Sequence, residues 1–135
     1  MTGAEAPLSY DRVQGELFQV LPELEIFVRE EFQDDLVFEA PGNYFLFEDV
    51  VFPMIKKIAW DADANQSMKE LFVFFERMAG SSDEDVLDLL GIAITENLAI
   101  DTELLSQIER FIGPKTSQMV DRDVKLLKSS VTEGM

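Results

Sequence analysis

Asp61-Ala62-Asp63-Ala64-Asn65 sets oxygen-bearing side chains at alternate positions, as the opening of a calcium-binding loop does. The pattern then breaks. Such a loop needs glycine at its sixth position and a bidentate carboxylate at its twelfth, where this sequence has Gln66 and Phe72. The segment reads instead as a polar loop ending in a helix N-cap. Gly113-Pro114-Lys115-Thr116 carries the Lys-Thr pair of a phosphate-binding loop. No glycine stands four or five places upstream, and Pro114 deletes an amide that would cradle the phosphate. It reads as a helix stop followed by a helix start.

Carboxylate pairs at glycosidase spacing, about 5–9.5 Å, arise by chance among 27 acids, and none stands in a recognisably apolar pocket. The chain has no histidine and no cysteine. That excludes Cys/His zinc sites, disulfide scaffolds, Ser-His and Cys-His nucleophile pairs and any histidine base. An enzyme is not expected, nor a cofactor, although a metal enzyme built from carboxylates alone stays open as a third reading.

What remains is electrostatic. Against the 27 acids stand 11 bases, a net charge of −16 over 135 residues. A folded chain of this size exposes roughly 7,000 Å², so evenly spread charge would put about two excess negatives on an interface of about 800 Å². Such a surface argues against nucleic acid as a partner, because phosphate binding needs bases. It suits a cationic protein, with solubility or a salty habitat as the plain alternative. The charge is uneven. Residues 1–51 hold 12 acids and 2 bases, residues 52–113 hold 12 and 5, and residues 114–135 hold 3 and 4.

The elements that must position these carboxylates are helical from end to end. Val13, Leu17, Val20, Leu21, Leu24, Phe27 and Val28 recur at three- and four-residue steps, with Pro22 either kinking the run or opening a second helix. A short extended piece is expected over Leu36 to Glu39. A helix follows over about Leu46 to Trp60, kinked at Pro53 or starting no earlier than Asp49. Met68, Leu71, Phe72, Phe75, Met78 and Ala79 form an apolar stripe widened by Val73 and Phe74. Gly80 should end that helix in a left-handed conformation. Ser82 with Asp85 makes an acidic capping box for a helix to about Leu98. Asp101 caps the next, with Leu104, Leu105, Ile108, Phe111 and Ile112 inward. Gly113 stops it, and Pro114 opens a last helix that buries Val120, Val124 and Leu127.

The 47% apolar share is ordinary for a globular chain, and short loops between amphipathic helices favour antiparallel neighbours. The expectation is an all-α fold, one domain over residues 1–135, as a bundle of about six helices with HEAT-like antiparallel helix pairs. Residues 1–8 and 130–135 are expected to fray. Neither a signal peptide nor a bilayer-spanning stretch is evident, so a cytoplasmic protein without membrane contact is expected. Its oligomeric state is open.

The candidate partner-binding residues fall in groups. Asp34, Asp35 and Glu39 surround the extended piece, Tyr44, Glu48 and Asp49 enter the central helix, and Trp60, Asp61 and Asp63 leave it. Asp85, Asp88 and Glu96 should share the polar side of their helix. Asp49, Asp83 and Asp85 also suit helix N-termini, which favour negative charge. Tyr44 and Trp60 flank the acids and can anchor an interface as amphipathic rings do.

Phe72-Val73-Phe74-Phe75-Glu76-Arg77-Met78, Ser82-Asp83-Glu84-Asp85-Val86, Ile94-Thr95-Glu96-Asn97-Leu98 and Phe111-Ile112-Gly113-Pro114-Lys115-Thr116 punctuate the second half. With Tyr44-Phe45-Leu46-Phe47-Glu48-Asp49 upstream, the pattern over residues 36–128 resembles small, acidic, all-helical bacterial immunity proteins of polymorphic toxin and contact-dependent growth inhibition systems. The resemblance implies binding and neutralisation of a cognate toxin domain, expected to be basic and of nuclease type. It carries over no catalytic residues, and toxin-binding residues vary among such proteins, so the acidic candidates rest on electrostatics alone. The alternative is an acidic nucleic-acid mimic or adaptor that regulates an endogenous basic protein.

Overall fold

The computed structural model describes residues 8–32 and 42–133, and every regular element in them is helical. The order is α1 (Val13–Val20), α2 (Pro22–Phe32), α3 (residues 43–58), α4 (Asn65–Ala79), α5 (residues 84–100), α6 (Thr102–Ile108) and α7 (Pro114–Glu133). Single 3-10 turns at Tyr10–Arg12, Ala62–Ala64 and Glu109–Phe111 join them. The expected extended piece, Leu36 to Glu39, lies outside the described residues. So do Asp34 and Asp35.

Prolines and aspartates set the boundaries. Leu21 leaves the helical region at φ −127 and ψ 79, and Pro22 opens α2 rather than kinking a longer helix. Asp101 accepts the Leu104 N–H at 3.1 Å and starts α6. Asp83, not Ser82, caps α5, accepting the Asp85 N–H at 3.0 Å. Gly80 stays at φ −92, so no left-handed residue ends α4. Its N–H instead bonds back to the carbonyls of Glu76 and Arg77 at 3.1 and 3.2 Å, closing the last turn tightly.

Two helices contain a widened turn. In α3, Leu46–Val51 is π-helical, and the Phe52 N–H reaches the Phe47 carbonyl five residues back. In an α-helical register the ring of Pro53 would press on the carbonyl of Asp49. The wide turn relieves that clash, so the helix starts at Asn43 rather than Asp49, and Asp49 lies inside it instead of capping it. In α5 the π stretch is Gly91–Thr95, and the helix continues past Leu98 to Ile100.

These two stretches pack on each other at the centre of the molecule. Leu46, Phe47, Val50 and Val51 meet a surface of Gly91, Ala93, Ile94 and Thr95, all buried. Phe72 and Phe75 of α4 join them edge to face with centroids 5.0 Å apart, and Phe47 lies 6.3 Å from Phe75. Burying each such ring contributes roughly 1.5–3 kcal/mol. Val73 departs from the expected stripe and is 58% exposed.

Helices α5 and α7, with the short α6 between them in sequence, run parallel. Gly91 lies against Met119, and Thr95 donates to Asp123 at 2.6 Å, so both chains advance together. The short α6 returns the chain between them. Val120 is buried, but Leu127 is 41% exposed, because the seam with α5 ends near Ile100. Leu8, expected in a frayed end, is buried in the core, and α7 continues to Glu133.

Candidate functional site

The N-terminal segment is pinned to the starts of α3 and α5. Ser81 Oγ donates to the Leu8 carbonyl at 2.7 Å, and the Tyr10 N–H donates to Asp83 Oδ2 at 2.9 Å. From α3, Asn43 Nδ2 donates to the Tyr10 carbonyl at 3.0 Å. Asp83 therefore does two jobs, capping α5 with one oxygen and holding Tyr10 with the other.

This clamp brings the chain's two tyrosines together. Tyr44, in the first turn of α3, is half-buried. Burial raises its pKa, and the neighbouring Tyr10, Asp88, Asp85 and Glu48 raise it further. The phenol thus sits in a field of carboxylates contributed by two helices. Glu48 follows Tyr44 by one turn, and Asp85 and Asp88 occupy successive turns of α5. All three carboxylates are exposed, and among the described residues none is ion-paired.

Three acids elsewhere are engaged with bases or backbone amides. Glu16 lies 2.6 Å from both Arg12 and Arg77, and Glu25 is 2.9 Å from Arg29. Glu76 of α4 accepts the N–H groups of Lys115 and Thr116 at 2.8 and 3.0 Å, together with the Thr116 hydroxyl at 2.9 Å. Burial would raise its pKa, but the Thr116 and Lys115 hydrogen bonds and the Lys115 charge outweigh that and hold it low. On the α7 side, Glu84 and Asp88 face Lys115 and Arg122 across an open hollow of about 610 Å³. Asp88 thus lies between the Tyr44 side and these bases, whereas Glu48 and Asp85 have no base beside them in that hollow.

Of the other candidates, Trp60, Asp61 and Asp63 form a separate group at the far end of α3, about 24 Å away at 1.5 Å per residue. Trp60 is 55% exposed, and Asp61 accepts the Asp63 N–H at 2.9 Å as the cap of its turn. Asp49 is exposed partway along α3. Glu96 does not join Asp85 and Asp88. It lies about 12 Å along α5 from Asp88, in a shallow groove with Ile100 and Leu127. Asp34, Asp35 and Glu39 lie outside the described residues.

Sequence reasoning missed Tyr10 and gave Asp83 only a capping role. No local signal marks Tyr10, because its place follows from contacts made more than thirty positions away. Chemically, the cluster can receive ammonium or guanidinium groups beside two aromatic rings. Among the described residues no three carboxylates converge to hold a metal ion, and no helix is long and apolar enough to cross a membrane.

No curated protein and no solved structure matches the chain. A family model described as a domain of unknown function, DUF7674, matches residues 15–127, from α1 through most of α7. That span takes in both π stretches, the α5–α7 seam and four of the five residues around Tyr44, and the chain belongs to the DUF7674 family.

Proposed function

We propose that this protein is an immunity protein, acting in the cytoplasm, that binds and neutralises a basic toxin domain through the face around Tyr44. The observation that carries the reading is the assembly of Tyr10, Tyr44, Glu48, Asp85 and Asp88 from three separate segments into one acidic surface. Rigid aromatic rings among carboxylates supply what such an interface needs. The rings give buried contact area at low entropic cost, and the charges speed encounter and reject wrong partners. A toxin that grips nucleic acid exposes lysines and arginines, and these would meet the carboxylates in place of phosphates. The likeness to immunity proteins supports the choice of a toxin over other basic partners.

The test is co-expression with the toxin-like reading frame adjacent to the gene, scoring growth. Rescue by the wild-type chain and loss of rescue with Asp85→Lys/Asp88→Lys supports the reading. Rescue that is indifferent to charge reversal at Tyr44's neighbours refutes the face, and absence of any rescue refutes the toxin. Capture of several nucleic-acid-binding proteins rather than one partner would favour the mimic instead.

A further inference from the structure

We propose that a second copy of this chain docks on α7, forming a twofold dimer centred on Leu126. The surface there is apolar and uncovered. Leu126 is 61% exposed, Ile100 63% and Leu127 41%. Ile92 and Ile100, two turns apart on α5, flank Glu96 and extend the patch along the α5–α7 seam. Exposed apolar side chains clustered in this way mark an interaction surface.

The charges beside the patch identify the occupant. Leu126 stands between two rows of opposite sign. On one side Arg122 and Lys125 outnumber Asp121 in a shallow surface depression. On the other, Glu96 lines the groove shared with Leu126, Leu127 and Ile100, while Asp123 beneath it is buried, bonded to Thr95 and 3.9 Å from Arg122 of its own chain. A twofold axis running along α7 at Leu126 lays Arg122 and Lys125 of each copy over Glu96 of the other. Such self-complementarity is the requirement of an isologous interface.

Net charge points the same way. Residues 1–113 hold 24 acids and 7 bases, whereas residues 114–135 hold 3 and 4. Two copies approaching by surfaces built from residues 1–113 meet stronger like-charge repulsion than they do along α7. Because α5 lies between α3 and α7, the dimer leaves the Tyr44 face open on both copies. The proposal does not rest on the toxin reading.

The experiment is sedimentation equilibrium of the full chain from about 5 to 200 µM at near-physiological salt, a range that resolves dissociation constants of a weak to moderate dimer. The expected result is a reversible dimer. Ile100→Ser/Leu126→Ser, at exposed positions that leave the helical circular dichroism intact, should raise the dissociation constant at least about tenfold. Glu96→Lys should do the same, and adding Lys125→Glu in the same chain should recover most of the loss, as opposed charges in contact do. A wild-type chain that stays monomeric throughout, or a dimer unmoved by Ile100→Ser/Leu126→Ser, overturns the proposal. Growth rescue by the serine variant separates this outcome from failure at the Tyr44 face.

Discussion

Glu76 caps a helix to which it does not belong: its Oε1 accepts the Thr116 hydroxyl at 2.9 Å and the Thr116 N–H at 3.0 Å. Gly113, the residue before Pro114, has no side chain to cap α7 itself. A Cβ built there would stand 2.5 Å from Glu76 Oε1. The missing methyl is what lets a carboxylate from α4 occupy the cap position, tying α4 to the first turn of α7.

Glu76→Gln is therefore expected to cost about 1 kcal/mol at pH 7, the ordinary value of a lost cap. Gly113→Ala should cost a similar amount by displacing the carboxylate, and the double variant should cost much less than the sum. Glu76 has a folded pKa below its unfolded value of about 4.3. Its contribution is present above about pH 4.3 and lost as pH falls through the lowered folded value. Urea unfolding at pH 7 and pH 3 should show the wild-type advantage over Glu76→Gln shrinking at the lower pH.

Thr95 and Asp123 form the polar contact inside the α5–α7 seam, at 2.6 Å with both residues buried. Thr95→Val keeps the shape but leaves the carboxylate short of its donor, an expected loss of about 1–3 kcal/mol. Thr95→Val combined with Asp123→Leu should recover part of it, because no stranded polar group remains. Thermal or urea unfolding of the three variants checks the order.

The phenol of Tyr44 should ionise above the usual value near 10, held back by burial and by Tyr10, Asp88, Asp85 and Glu48. A raised folded value means that its contribution to stability is complete below about pH 10 and is lost as pH rises toward the folded value. Ultraviolet difference titration of wild type against Tyr44→Phe isolates this group. Asp85→Asn/Asp88→Asn should move the midpoint down. An unmoved midpoint would show that these carboxylates do not face the ring.

Partner association through the Tyr44 face should slow by at least about tenfold between 20 and 500 mM salt, as screening shortens the reach of the carboxylates. Asp85→Lys/Asp88→Lys should weaken it further than Asp61→Lys/Asp63→Lys, since only the first pair joins the two tyrosines. Stopped-flow or surface-binding rates with the proposed basic partner, once purified, distinguish the two groups.

Hydrophobic spacing and punctuation by themselves determined the all-α class, the stripe of Met68, Leu71, Phe72, Phe75 and Met78, the cap at Asp101 and the start at Pro114. These are local: a side chain bonding an amide three positions on, or apolar residues recurring once per turn. The two π stretches were not legible in spacing alone. Each inserts a residue into a turn; Pro53 favours the one in α3, and the packing of one stretch on the other stabilises both. The insertion in α5 also rotates everything beyond Gly91, which is why Glu96 parts from Asp85 and Asp88. The return of the chain through α6 follows from short loops, but the seam that α5 and α7 make by lying side by side is a matter of direction in space that periodicity does not encode. The acidic character of the surface was plain from composition. Which acids share a face was settled by the packing of α3 on α5, and Tyr10 joined them only when Ser81, Asp83 and Asn43 pinned the N-terminal segment, because hydrogen bonds spanning 33 and 73 positions leave no trace in local sequence.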